Sequence, residues 1–261
     1  MPLLQEMEQQ GLVMFKYRGI LPVIIIVMGL GVYAYTKYSG SEVIFIEEKY
    51  FEFICLGVAL LGALIRAYTV GYTPYNTSGR NIDSQVADTV NTYGIYSIVR
   101  HPLYVGNFFC SLGIAMLTQN LWFVLFFIAA YWLYYERIMV AEEQFLNKKF
   151  GDRYTNWASV TPAFVFNFKL WKKNQIPFSL KKVIRGEKNI FFYTFLMFFI
   201  FSITGEFVVN GKIEFIRPYW AIACLVWVAI YIVLKLLKTY TEVLTDEFAK
   251  KKYKTSNVSK A

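Results

Sequence analysis

The chain has 261 residues, of which 56% are hydrophobic and 17% are charged, with a net charge of +9 and a mean hydropathy of +0.39. An average soluble domain is about 45–50% apolar and about 25% charged, so this composition excludes a disordered chain and argues strongly against an ordinary soluble enzyme. The three cysteines, Cys55, Cys110 and Cys224, lie in apolar runs and do not form a disulfide framework. The first 19 residues lack the pattern of a removable signal peptide. The composition therefore predicts an integral membrane protein.

Six apolar runs follow one another along the chain and predict membrane-spanning helices, because open strands cannot satisfy their backbone groups in hydrocarbon. The runs are residues 20–35, 50–65, 103–117, 121–135, 190–209 and 219–237. Only residues 118–120 separate the third run from the fourth, which predicts a tight helical hairpin. The fourth run continues into helix-forming residues up to about residue 146, so its helix is expected to extend beyond the membrane.

The distribution of Lys and Arg predicts the topology. If the N-terminus is cytoplasmic and the chain changes sides at each of six spans, 23 of the 27 basic residues fall in cytoplasmic segments. We therefore expect both termini and the two long polar segments, 69–100 and 137–188, in the cytoplasm. The positive charge is then expected to face an anionic lipid surface and not nucleic acid.

The only histidine, His101, lies between Arg100 and Pro102 at the start of the third apolar run. Proline suits the first position of a helix, and a helix N-terminus favours an anion. Glu142 and Glu143 follow on the second helix of the hairpin, and a hairpin brings the start of its first helix beside the end of its second. The basic and acidic groups are thus expected to meet at the membrane edge, in a pocket suited to a zwitterionic headgroup. The alternatives are an interfacial arginine with a capping histidine, and an acidic patch paired with nearby lysines.

The motif Arg-His-Pro-x-Tyr-x-Gly at 100–106, followed by Glu-Glu-x-x-Leu at 142–146, resembles the isoprenylcysteine carboxyl methyltransferase and phospholipid methyltransferase superfamily. The resemblance covers roughly residues 89–164. It implies S-adenosylmethionine bound without a Rossmann fold, in a pocket on the cytoplasmic side. The cofactor-binding residues that it implies are Gln85, Tyr96, His101, Pro102, Leu103, Tyr104, Glu142 and Glu143. The catalytic residues expected are Arg100, His101 and Arg137, and no metal site is expected.

One position departs from the family pattern. Prenylcysteine members have a substrate-binding arginine four residues before the glutamate, where this chain has Ile138. Arg137 is one position away, about 100° around the helix. This difference weakens the expectation of a prenylcysteine substrate.

The expected reaction is methyl transfer to an anionic oxygen, phosphate or carboxylate, of a membrane lipid or lipidated acceptor. Arginine side chains suit such groups, and Arg80, Arg100 and Arg137 are expected on the same side. Residues 71–81 resemble a bacterial branch associated with methylation of lipid A phosphate, which makes that acceptor the leading candidate and the bacterial inner membrane the expected location. The alternatives are isoprenylcysteine carboxyl methylation, phospholipid-amine N-methylation, an NADPH-dependent sterol-type reductase, and a membrane scaffold.

Three regions are predicted from these features. Residues 1–68 form an N-terminal transmembrane hairpin, and residues 69–188 form the methyltransferase core. Residues 189–261 form a C-terminal transmembrane hairpin with a basic tail.

Overall fold

The computed structural model describes residues 2–41, 47–74, 87–241 and 243–244, and its regular structure there is helical. The elements are α1 (Leu3–Lys16), α2 (Ile20–Ser39), α3 (Glu48–Tyr72), α4 (Pro102–Met116), α5 (Leu121–Phe150), α6 (Asp152–Ala158), α7 (Leu180–Asn210) and α8 (Pro218–Tyr240), with short 3₁₀ turns at Ile95–Ser97 and Phe168–Leu170. The predicted all-α integral membrane fold is confirmed.

Five of the described helices, α2, α3, α5, α7 and α8, are long and apolar enough to cross a membrane. The third predicted span corresponds to α4, which has 15 residues and is about 22 Å long. The hydrocarbon core of a bilayer is about 30 Å thick. The expected count of about six spans is therefore corrected to five full-length helices and one shorter apolar helix packed among them.

The predicted helical hairpin is formed by α4 and α5. Gln119 takes a positive φ of 56° in the turn, and the side chain of Asn120 caps α5 by accepting a hydrogen bond from the backbone N–H of Phe123 at 3.0 Å. As predicted, α5 extends well beyond its apolar half and contains 30 residues. Glu142 lies about 32 Å along α5 from its start at Leu121, a distance close to the thickness of the hydrocarbon core.

Small residues allow α3 and α4 to pack with their backbones close together. A Cβ atom on Gly62 would clash with the backbone of Gly106 and Cys110, and one on Gly106 would lie 2.5 Å from Cγ of Arg66. A Cβ on Gly113 would clash with the backbone of Cys55. The glycine at position 106 of the family-like motif is therefore explained by this close helix contact.

Helix α1 was not predicted from the sequence. It packs along the second half of α5, and its Gly11 lies so close that a Cβ there would clash with the carbonyl of Arg137. Tyr134 donates a hydrogen bond from its hydroxyl to the carbonyl of Met14 at 3.0 Å, and Lys148 pairs with Glu8. The buried residues of α1, Gly11 and Phe15, repeat at helical spacing.

Candidate active site

The site begins where α4 starts. Pro102 is the first residue of α4, as predicted, and His101 is the N-cap residue. The His101 side chain makes no capping hydrogen bond, so the alternative of a capping histidine does not describe it. Its imidazole ring instead faces α5.

The loop before α4 is held by a segment that follows α6. The backbone N–H groups of Arg100 and His101 donate to the carbonyls of Pro162 and Ala163 at 2.9 and 3.0 Å, and that of Asn167 donates to Ile98 at 3.0 Å. We call residues 94–101 the motif loop and residues 160–174 the strap. These backbone hydrogen bonds fix the directions of the Arg100 and His101 side chains.

The motif loop starts at a glycine with φ of +60°, Gly94, a conformation that L side chains rarely adopt. Its N–H donates to the carbonyl of Lys172 at 2.9 Å. The hydroxyl of Ser97 donates to the carbonyl of Gly94 at 2.6 Å and accepts from the N–H of Lys172 at 2.9 Å. Both ends of the motif loop are thus joined to the strap.

Glu143, on α5, is surrounded by donors from two other elements. Its Oε1 lies 2.9 Å from Nε2 of His101 and 3.1 Å from Nε of Arg100, and the hydroxyl of Tyr154 donates to it. Arg100 also donates from a terminal nitrogen to the carbonyl of Ala158 at 2.8 Å. Glu143 therefore joins the motif loop, α5 and α6.

Glu142 has fewer partners than Glu143. It accepts a hydrogen bond from the hydroxyl of Tyr104 at 2.7 Å, and its other oxygen lies 3.8 Å from Nδ1 of His101. Its side chain is 21% exposed. This carboxylate therefore keeps unused acceptor positions for a ligand, beside the imidazole ring and the phenol.

Aromatic rings lie near Glu142. The rings of Tyr104 and Tyr135 have centroids 5.1 Å apart, and His101 lies 5.9 Å from Tyr104. Tyr96 lies in the 3₁₀ turn of the motif loop, where its carbonyl accepts from the indole N–H of Trp157 at 3.2 Å. Burial, followed by the nearby Glu142 charge, raises the pKa of Tyr96 well above its usual value. Tyr96 is therefore a neutral phenol at physiological pH.

The same two causes act on Tyr154. Burial raises the pKa of its phenol well above the usual value, and the negative charge of Glu143 adds to this effect. Tyr154 therefore keeps its proton and serves as a donor to Glu143.

The structure does not bring Arg137, which the sequence suggested as catalytic, to the acidic pair. Its Nε donates to Oε1 of Gln10 at 3.1 Å and a terminal nitrogen donates to the carbonyl of Leu133 at 2.9 Å. It lies five residues before Glu142, about 140° away around α5, and so points towards α1. Ile138, on the same face as Glu142, is fully buried.

Leu103, another of the predicted site residues, is half-buried in the first turn of α4, and Gln85 lies outside the described residues.

Arg18 is a cation near the site that the sequence did not single out. It lies in the turn between α1 and α2 and interacts electrostatically with Glu142, Tyr104 and Tyr135. The hydroxyl of Tyr135 donates to its carbonyl at 3.5 Å, and its guanidinium lies 4.1 Å from the ring centre of Phe15. Arg18 is far from the motifs in sequence, so only the packing of α1 on α5 reveals it.

Comparison with known proteins supports the resemblance found in the motifs. Residues 53–153 match the phospholipid methyltransferase family, a range that contains most of α3, all of α4, the motif loop and the acidic pair. Over 111 residues the chain is 33% identical to the protein-S-isoprenylcysteine O-methyltransferase of Schizosaccharomyces pombe, covering 42% of this chain and 45% of that protein. This part of the chain is therefore similar to the isoprenylcysteine carboxyl methyltransferase and phospholipid methyltransferase superfamily.

Two further relatives also match part of the chain. The protein-S-isoprenylcysteine O-methyltransferase of Tribolium castaneum is 29% identical over 117 residues, which are 42% of this chain and 40% of that protein. The cobalt-zinc-cadmium resistance protein CzcN of Cupriavidus metallidurans is 33% identical over 91 residues, which are 35% of this chain and 42% of that protein. The chain thus spans less than half the length of these three relatives. No solved structure matches the chain.

Proposed function

We propose that the protein transfers a methyl group from S-adenosylmethionine to an anionic oxygen of a lipid-borne acceptor. The observation that supports this most strongly is the arrangement of Glu142, to which only Tyr104 donates at close range among the described residues, beside His101 at the start of α4. Within one small site, a carboxylate can accept from an ammonium group, and a helix N-terminus with basic side chains can bind a carboxylate. These are the two charged groups of a methionyl headgroup.

The residues fit this cofactor in a definite way. Glu142 would bind the ammonium group, and His101 with the N-terminus of α4 would bind the carboxylate. The rings of Tyr96 and Tyr104 would lie near the sulfonium, which electron-rich aromatic faces attract. Glu143 would position Arg100 and His101 without touching the cofactor. When bound, S-adenosylmethionine supplies a methyl group on a positively charged sulfur.

The rest of the reaction requires alignment more than acid–base chemistry. An anionic oxygen needs no general base, whereas an amine acceptor must lose its proton first. The Nε2 atom of His101 is hydrogen-bonded to Glu143 at 2.9 Å, so this nitrogen is already engaged and is not placed to take a proton from an acceptor. This supports a phosphate or carboxylate acceptor over a phospholipid amine.

An apolar cleft between α2, α4 and α5 offers a route for the lipid part of the acceptor. Pro22, Ile25, Tyr131 and Tyr135 line it, and the ring of Tyr135 also contacts that of Tyr104. An acyl or prenyl chain in this cleft would bring its headgroup to the aromatic wall of the site.

Arg18 is the proposed binding residue for the anionic headgroup. It lies beside Tyr135, where the cleft meets the site, and it interacts electrostatically with Glu142. A guanidinium group binds phosphate or carboxylate with well-matched geometry. Arg18 would take the role that the sequence suggested for Arg137.

Lipid A phosphate is the proposed acceptor, and the cytoplasmic face of a bacterial inner membrane is the proposed location. The resemblance of residues 71–81 supports this, although residues 75–81 lie outside those that the structure describes. The relatives from Schizosaccharomyces pombe and Tribolium castaneum are named for isoprenylcysteine O-methylation, so the carboxylate of a prenylcysteine is the second candidate. The buried Ile138 gives that substrate no cation from α5.

The proposal is tested with purified protein in lipid nanodiscs. Calorimetry should detect binding of S-adenosylmethionine and not of NADPH, and incubation with bacterial lipids should yield a phosphate-bearing lipid heavier by one methylene. Arg18→Gln should raise the acceptor KM while leaving cofactor affinity within about twofold, and Arg137→Gln, the matched control, should change neither. Lack of cofactor binding by the folded protein would refute the proposal. A methylated amine as the sole product would refute the anionic acceptor.

A further inference from the structure

The strap exposes apolar side chains that the site does not use. Phe168 is 73% exposed, and Phe164, Val165 and Trp171 are also exposed. They lie outside the five full-length apolar helices, so contact with the hydrocarbon core does not account for them. Large exposed apolar groups of this kind mark an interaction surface.

Basic residues are interspersed with these apolar side chains. Lys169, Lys172 and Lys173 are exposed, and residues 153–186 contain seven Lys and Arg but no Asp or Glu. Tryptophan, other large aromatic residues and lysine in one short segment are typical of the boundary between a bilayer and water, where lysine is attracted to anionic headgroups.

The strap also lies at a suitable depth. It forms hydrogen bonds with the motif loop next to His101, and His101 contacts Glu143, which is slightly more than one hydrocarbon thickness along α5 from Leu121. α7, which follows the strap, begins at Leu180, so its first two turns with Lys181 and Arg185 lie beyond its apolar part. The strap is thus placed at the edge of the bilayer.

We propose that the exposed aromatic and lysine side chains of the strap bind anionic lipid headgroups, and that this contact stabilises the motif loop in its ligand-binding geometry. The second half of this proposal rests on the proposed cofactor site. The strap can affect the motif loop directly, because backbone hydrogen bonds join it to Gly94, Ile98, Arg100 and His101. Lipid bound to the strap therefore reduces the freedom of the residues that face the cofactor.

The lipid contact is tested by native mass spectrometry of the full-length protein. The protein is released from nanodiscs that contain equal amounts of phosphatidylcholine and phosphatidylglycerol, and the retained lipids are counted. The wild type should retain phosphatidylglycerol preferentially. The double variant Lys172→Gln/Lys173→Gln should lower this preference roughly 30-fold, about fivefold for each interfacial lysine.

The matched control is Lys235→Gln/Lys238→Gln. It removes the same charge near the end of α8, where both lysines are exposed, and it leaves the strap unchanged. Equal loss of phosphatidylglycerol in the two double variants, or no preference in the wild type, would overturn the proposed lipid contact. The proposed lipid contact would also be overturned if the released protein retained a bound partner protein instead of phosphatidylglycerol.

A second measurement tests the effect on the motif loop. The Kd for S-adenosylmethionine should be lower in nanodiscs with phosphatidylglycerol than in phosphatidylcholine alone, for the wild type and the α8 control but not for the strap variant. An equal Kd in both lipids would overturn the coupling. If lysine-dependent lipid binding is found and no cofactor binds in any nanodisc, the proposed function fails while the lipid contact stands.

Discussion

Replacing either member of the acidic pair by glutamine is expected to produce two different defects. Glu142→Gln should weaken binding of S-adenosylmethionine with little effect on unfolding, because among the described residues only Tyr104 donates to this carboxylate at close range. Glu143→Gln should mainly lower the thermal stability, because three elements converge on that carboxylate. Both changes preserve the size and shape of the side chain.

The magnitudes follow from the contacts of each carboxylate. A hydrogen bond to a charged group contributes about 1.5–3 kcal/mol, so loss of the Glu142 charge should raise the cofactor Kd about 10- to 150-fold. Removing one partner of a fully buried ion pair costs about 3–5 kcal/mol. Because the Glu143 side chain is 23% exposed, solvent screening reduces the expected loss of its pairs with Arg100 and His101 to about 1–3 kcal/mol.

Calorimetry measures the Kd, and the tryptophan fluorescence of the protein follows thermal unfolding. Glu136→Gln is the control, since Glu136 is a largely exposed residue of α5 whose carboxylate lies 3.7 Å from Arg137. The division of roles would be refuted if Glu142→Gln bound the cofactor normally while Glu143→Gln abolished binding at an unchanged unfolding midpoint.

Two further substitutions test the geometry of α4. Gly106→Ala should destabilise the protein by about 1–3 kcal/mol, since its Cβ would be forced against Arg66. The control is Gly57→Ala in α3, where a Cβ meets open space; it should be neutral or stabilising by up to about 1 kcal/mol. Equal unfolding midpoints of the two variants would contradict the close contact between α3 and α4. Tyr104→Phe keeps the aromatic ring but removes the hydroxyl donor 2.7 Å from Glu142. The Kd for S-adenosylmethionine should therefore change about fivefold. An unchanged Kd would show that this hydrogen bond does not orient the carboxylate.

The helices and the meeting of the two motifs could be predicted because both depend on local patterns. Apolar runs specify spans, and the three-residue link between the third and fourth runs specifies the hairpin that brings His101 to Glu143. Helix α1 was missed because its apolar face is narrow and interrupted by acidic and amide side chains. Its stability comes from packing on α5, as the contact of Gly11 with the backbone of Arg137 shows.

The two arginines show the limit of reading a site from spacing. Arg137 is close to the expected position in sequence, but one step along a helix changes direction by about 100°, and its side chain contacts α1. Arg18 is 124 positions before Glu142, and no motif connects the two. It approaches the site because α1 packs along α5 and the chain then turns into α2.

The C-terminal helices, for which the sequence suggested no role, are joined to the core at both ends of α3. At the site end, Arg66 forms a bidentate pair with Glu187 of α7 at 2.8 and 3.2 Å and donates to Asn107 of α4 at 2.6 Å. At the opposite end, the buried Glu52 pairs with Arg217 and accepts from the indole of Trp220 at 2.7 Å.

These contacts give α7 and α8 an indirect effect on the site. Arg66 connects Glu187 to Asn107, which lies on α4 less than two turns after His101, so α7 helps to fix the helix whose first residues belong to the proposed cofactor site. Removing a single partner from such a buried group leaves an unpaired charge and costs several kcal/mol. Damage to α7 should therefore appear first as loss of α4 geometry and cofactor affinity, whereas acceptor choice depends on α1, α2 and Arg18.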